Sequence, residues 1–350
     1  MRSHCLSSGI NQGGWREGLL REDGEDRRSR GPGEFTRLRR RPFRSVRRTI
    51  LGIPPEEATF ERRGFTGGNP ASRIRLEQVG TSFLRGYNAA IDEDELEPLV
   101  RRLNEVDEGF RGFAFEGAAM GLAIRDGLTL WRSKRLETLL AGPGSAHVYM
   151  VHVGAGWALG RIKWPMRRVM ASLDPLLRWL VFDGYGFHEG YFHWRKYVFN
   201  LARPGGLSGY ALRVFDQGLG RSLWFVHGAD TETLPATIEA FPRTRHSDLW
   251  SGVGLACTYA GGVNETELQA LRCAAGRYAP HMAQGAAFAA KARQRAGNPA
   301  PQTELACQIL CRRSAARAAE VTDLALIDLA GDDNYPDYET WRLRIQEQFS

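Results

Sequence analysis

A pair of glycines separated by one residue recurs through the middle of this chain: Gly154-Ala-Gly156, Gly184-Tyr-Gly186, Gly218-Leu-Gly220 and Gly252-Val-Gly254. The first glycines stand at 154, 184, 218 and 252, so the step is 30 residues and then twice 34. Relaxed copies flank the series, Gly112-Phe-Ala114 before it and Ala283-Gln-Gly285 after it. Self-similarity at this period marks a stacked supersecondary unit. Each pair sits in an apolar segment, and glycine costs a helix interior roughly 1 kcal/mol against alanine. Its recurrence therefore calls for a packing reason: a close approach by a neighbouring helix. A dinucleotide fingerprint would need a third glycine and a preceding strand.

The unit reads as a helical hairpin. "TETLPATIEAF" (231–241) has helical spacing, "PRTRHS" reads as a turn, and "DLWSGVGLACTYAGG" as a second helix opened by an Asp or Ser cap. "NETELQALRCAAGRY" with "PHMAQGAAFAAKARQRAG" repeats the plan, and "TELACQILCRRS" with "AARAAEVTDLALIDL" ends it. The predicted body is all-α, about six stacked hairpins in the manner of tetratricopeptide or Sel1-like arrays. Unit lengths are irregular, with 42 residues from Gly112 to Gly154, which leaves a more closed helical domain as the alternative. The first helix is expected over 76–90, after a turn at Gly67-Gly68-Asn69-Pro70, and the next within 92–106. Along the chain this gives a disordered extension (1–34), an Arg-rich arm (35–51) and a helical-repeat domain (52–330). An acidic solvated loop with a C-terminal helix (331–350) completes it.

Charge narrows the function classes. The chain carries +7, and its first fifty residues, with 13 Arg, no Lys and 6 acids, carry all of it. The other three hundred residues balance at 34 basic and 34 acidic. A folded body without net positive charge argues against a nucleic-acid binder. Seven Arg between 37 and 48 point at most to weak contact with an anionic membrane surface, or to a solvated arm. The five cysteines are scattered, with no C-x-x-C, which suits free thiols in a reducing cytoplasm. The uncharged stretch 146–160 is too short and too polar to span a bilayer.

Candidate chemistry comes from comparing equivalent positions across the copies. Two residues after the second small residue stand Glu116, Ala158, His188, Ser222, Ala256 and Ala287. Four residues before it stand Phe110, His152, Phe182, Asp216, Trp250 and His281. An ionisable group at such a packing position is either satisfied within the stack or retained for function. Glu116, His188, Glu189 and Asp216 are the candidate acid–base residues. His152, Trp157, Tyr185, Phe187, Tyr191, Trp194 and Trp224 are the candidate pocket lining, an aromatic wall suited to a long apolar or conjugated ligand. His188-Glu189 with His193 does not make H-E-x-x-H, because i+5 lies about 140° further round a helix. No metal and no cofactor are expected.

Several stretches resemble a known family: "ILGIPPEEATFERRGF", "GYGFHEGYFHW", "FDQGLGRSLWF", "DLWSGVGLACTYAGG" and "AQGAAFAAKAR". They are similar to the bacterial domain-of-unknown-function family 1702, over about residues 45–349. Members of that family lie in actinobacterial natural-product gene clusters, notably those for enediyne polyketides. The resemblance implies an accessory role in making or handling an unsaturated polyketide chain, and it brings no catalytic residues. Two functions are thus expected. One is cofactor-free acid–base action on, or binding of, an apolar polyene or polyketide intermediate. The other is a non-catalytic scaffold or chaperone for a pathway synthase.

Overall fold

The computed structural model describes residues 46–129, 134–162, 170–329 and 336–350. Its described residues form helices and no strand. Seven long helices follow one another, each packed against the next. They are α1 (Pro70–Asp92), α2 (Glu108–Leu128), α3 (Val148–Arg161), α4 (Leu180–Phe192), α5 (Tyr210–Val226), α6 (Arg243–Ala260) and α7 (Ala279–Ala296). Shorter helices alternate with them: Leu96–Asn104, Arg135–Ala141, Leu234–Ala240, Glu265–Ala275 and Pro301–Leu310. Then come α8 (Ala315–Leu324), packed on α7, and α9 (Asp337–Glu347).

The glycine spacing now has a geometric reason. Residues i and i+2 lie 200° apart on an α-helix, so the two glycines of a pair face opposite flanks. A Cβ on the first would run into the backbone of the preceding helix: Gly154 into Glu116, Gly184 into Val153, Gly218 into Asp183, Gly252 into Gln217. A Cβ on the second would strike the following helix: Gly156 at Val181, Gly186 at Phe215, Gly220 at Leu249, Gly254 at Met282. In every case the atom struck is a carbonyl oxygen. One pair per helix therefore seats that helix between two neighbours at near backbone contact.

Local signals set the helix ends. Asn69 caps α1 through Ser72 N, with Pro70 at the first position. The expected turn holds at Gly67 and Gly68, both with positive φ, and its last two residues, Asn69 and Pro70, start α1, which begins six residues before the expected 76–90. Asn264 and Glu267 form a capping box for Glu265–Ala275. "PRTRHS" is no turn. Apart from Pro242, which caps it, it forms the first turns of α6, and Arg245 and His246 there are buried.

The stack closes on itself. Ser72 Oγ donates to Gly262 O at 2.5 Å and Arg75 Nε to Ala260 O at 2.9 Å, tying α1 to the end of α6. Arg293 and Asn298 reach back to the carbonyls of Gly109 and Glu108 at the start of α2. The ring of Phe83 on α1 lies 4.3 Å from that of Trp157 on α3. Inside this closure α5 is buried without a break from Val214 to Val226, as expected for a helix with neighbours on all sides. The closed alternative describes this body better than an open array.

Both ends of the body differ from expectation. Residues 1–34, and the arm up to residue 45, lie outside the described residues. The arm's last turn (46–51) is helical, and Arg47 and Arg48 pair with Asp94 and Asp92 at 2.5 and 2.6 Å. Part of the acidic loop (330–335) also lies outside the described residues. Its continuation is not solvated: Tyr338, Glu339, Trp341 and Arg342 of α9 are fully buried. Arg342 and Arg213 there hold the carboxylates of Asp248 and Glu339.

Candidate functional site

The residue immediately after each glycine pair points into the closed stack. Trp157, Phe187, Arg221 and Leu255 occupy that position in α3 to α6, and all four line one narrow cavity. Phe83, Phe113, Glu116, Met150, Tyr191, Phe225 and Tyr259 complete most of its wall. Its free volume is small, about 40 Å³. A second apolar cavity of similar size shares Met150, Arg221, Leu255 and Tyr259 with the first and runs towards Tyr338 and Trp341 of α9. Arg221 thus stands between two apolar spaces.

Arg221 is the centre of a buried polar network. Its Nη1 pairs with Asp183 Oδ1, and its Nη2 lies 3.5 Å from Glu116 Oε1. Trp157 Nε1 donates to the same Glu116 oxygen at 3.0 Å. Gln217 Nε2 donates to Asp183 Oδ2 at 2.8 Å and to the Tyr338 hydroxyl at 3.3 Å. The guanidinium also lies 4.9 Å from the centre of the Phe187 ring, a cation–π contact. Burial opposes the charge on Arg221, but Asp183 and Glu116 outweigh it and hold its pKa above the ordinary value. Burial pushes the Glu116 carboxyl above the usual carboxylate range, and Arg221 only partly offsets this. Two carboxylates share one cation here, and burial drives Glu116 towards its neutral form.

Of the candidate acid–base residues, only Glu116 lines the cavity. His188 and Glu189 sit behind its wall, where the His188 ring meets Trp157 edge-on at 5.8 Å. His188 Nδ1 is 3.0 Å from Glu189 Oε1. Burial lowers the pKa of His188 against the pull of Glu189. Burial would raise Glu189, but His188, His193 and Tyr197 hold it below the ordinary value. Asp216 belongs elsewhere: Arg245 grips it with Nε to Oδ2 at 2.9 Å and Nη2 to Oδ1 at 2.5 Å. That is a satisfied buried pair.

The aromatic candidates divide in the same way. Trp157, Phe187 and Tyr191 line the cavity. Tyr185, between its two glycines, faces the other way and packs on Phe215 at 5.5 Å. Trp194 donates to Arg63 O, and Trp224 is wholly buried and donates to Gly261 O. His152 Nδ1 donates to Val148 O within its own helix, at 2.7 Å.

A family model for proteins of unknown function, DUF1702, matches residues 42–349. The chain belongs to this family. No curated protein and no solved structure matches it. In this DUF1702 protein the interior residues that sequence comparison missed are Arg221, Asp183, Gln217 and Tyr259. A signal for Arg221 existed one position earlier in the repeat. There, just after each pair, stand Phe115, Trp157, Phe187, Arg221, Leu255 and Ala286, with one charge among apolar residues. Among the described residues of the DUF1702 chain, no helix is long and apolar enough to cross a membrane.

Proposed function

We propose that the cavity takes an apolar, unsaturated chain and that Glu116 acts on it as an acid–base group, in enediyne- or polyene-type polyketide biosynthesis. The observation that carries the reading is a single carboxyl in an aromatic, water-poor cavity, with its pKa raised by burial. Such a group is matched to proton transfer near neutral pH. Trp157, Phe187 and Tyr191 supply flat surfaces for a conjugated chain, and Arg221 supplies the fixed charge that orients Glu116. The site needs no cofactor for this step. Asp216, bound to Arg245, is left out of the chemistry.

The second reading is a scaffold or chaperone for a pathway synthase. A helical array binds proteins along a free concave face. Here the inner face is filled by the aromatic cavity wall and by α9, which favours the first reading.

The test is deletion of the gene in its producer, followed by rescue. Wild type and Asp216→Asn should restore product, and Glu116→Gln should not. Full rescue by Glu116→Gln would remove Glu116 from the mechanism. Stoichiometric recovery of a synthase with both variants would favour the scaffold.

A further inference from the structure

Helix geometry sets His193 apart from His188 only while the helix continues. It does not continue. α4 ends at Phe192, and His193 leaves it with φ −123° and ψ 35°. A single π-helical turn, Arg195–Phe199, follows, a feature frequent at functional sites. Glu189 and His193 are i,i+4 neighbours, with His193 Nδ1 3.4 Å from Glu189 Oε2, and His188 Nδ1 lies 3.0 Å from Oε1, so both imidazoles reach one carboxylate. One donor atom from each of the three residues lies within 4.8 Å of the others.

We propose that His188, Glu189 and His193 bind a divalent first-row transition cation, with Zn²⁺ or Fe²⁺ as the chemical class and an open coordination position facing solvent. Two imidazoles and one carboxylate are the donor set of catalytic zinc sites and of two-histidine, one-carboxylate iron sites. A cation about 2.1 Å from each donor, at tetrahedral or octahedral angles, sets donors roughly 3.0–3.4 Å apart. The two His–Glu separations, to different oxygens of Glu189, fall at the ends of that range, and the three-donor set with one atom from each residue spans at most 4.8 Å. The carboxylate and two neutral imidazoles carry one negative charge, and the end of α4 adds the negative pole of a helix. Both favour a cation.

Access is provided on one side only. The His188 and Glu189 side chains are 2% and 9% exposed, whereas that of His193 is 52% exposed. Trp157 and Phe192 pack against the His188 ring at 5.8 and 4.9 Å. His188 Nε2 is buried without a hydrogen-bond partner among the described residues, so one nitrogen alone anchors this ring to polar surroundings. The ground for expecting no metal was the i+5 spacing, and the helix end removes it. The site stands apart from the cavity, and the inference holds whatever the cavity binds.

The test uses full-length protein purified without a polyhistidine tag, stripped with chelator and desalted. Co²⁺ serves as the optical probe, with Zn²⁺ as competitor. The expected result is saturation at one Co²⁺ per chain, with visible absorption bands that Zn²⁺ removes and a melting temperature that rises with Zn²⁺. His193→Ala, at an exposed position that folding tolerates, should weaken binding by more than about tenfold and abolish the thermal shift. Glu189→Gln should do the same. Failure of the wild type to bind either ion at millimolar concentration would overturn the proposal. So would unchanged binding by His193→Ala, and the cluster would then be only a hydrogen-bonded bracket at the end of α4.

Discussion

The Glu116 carboxylate and the Arg221 guanidinium meet at 3.5 Å inside the closed stack, although 105 residues separate them in the chain. Asp183 completes the arrangement from the other side of the guanidinium. Removing one partner of a buried ionic group leaves uncompensated charge, at about 3–5 kcal/mol. Arg221→Met should therefore lower stability by about that amount, read as the midpoint of urea unfolding. Adding Glu116→Gln and Asp183→Asn should recover most of the loss. A triple variant no better than Arg221→Met would show that the guanidinium matters for packing rather than charge.

Glu116→Gln alone should behave differently. Burial raises the folded-state pKa of Glu116 above its ordinary 4.5. The folded protein thus keeps a proton that the unfolded chain releases above that pH, and stability falls as pH rises through the window. Glutamine keeps an oxygen for Trp157 and cannot ionise. The variant should match wild type below pH 4.5 and exceed it by a growing margin towards neutrality. A variant less stable at pH 7 would mean that Glu116 is held ionised by Arg221.

The glycine pairs make a prediction with a definite sign. In an open helix Gly→Ala stabilises by up to about 1 kcal/mol. At Gly186 and Gly220 the new methyl would strike the carbonyls of Phe215 and Leu249, and overpacking costs typically about 1–3 kcal/mol. Both alanine variants should melt lower than wild type, and leucine variants should fail to fold. Gly205→Ala, with nothing within 4 Å of the new atom, serves as the neutral control. Stabilisation at either helical position would refute the close-packing account.

His147 predicts a second pH effect. Its ring stacks on Phe115 at 4.2 Å, and burial, with Arg111 and Arg293 nearby, lowers its pKa from 6.5 to about 4. Between those values the unfolded chain binds a proton that the folded protein does not, so stability drops as pH falls from 6.5 to 4. The full shift corresponds to ~3 kcal/mol. His147→Gln should flatten this part of the melting-temperature profile. Parallel profiles for the two proteins would count against it.

The arm offers a weaker test. Each basic residue near an anionic surface adds about 1 kcal/mol, but Arg47 and Arg48 are already paired with Asp94 and Asp92. Full-length protein should sediment weakly with anionic vesicles at low salt, and protein lacking residues 1–44 should not. Equal sedimentation of both would place the contact on the folded body.

The sequence by itself determined the helical class, the period and the meaning of the glycines. These rest on local physics: a glycine in a helix needs a near neighbour, and the 200° between paired glycines dictates two of them. Asn69-Pro70 and Pro242 were also readable as helix starts, but a turn and a cap use the same residues, and only the chain beyond decides between them. Tertiary structure alone decided which position of the repeat faces inward, because the curvature that closes the stack is set by contacts between α1 and α6, far apart in sequence. The column compared lay one residue past that inner one and met Ser222 where Arg221 stands beside it, while a second column, four residues before the later glycine, selected Asp216, which Arg245 holds. The approach of His193 to Glu189 is an ordinary i,i+4 pairing; the spacing hid only that His188 and His193, about 140° apart on a continuing helix, reach the same carboxylate once α4 ends at Phe192.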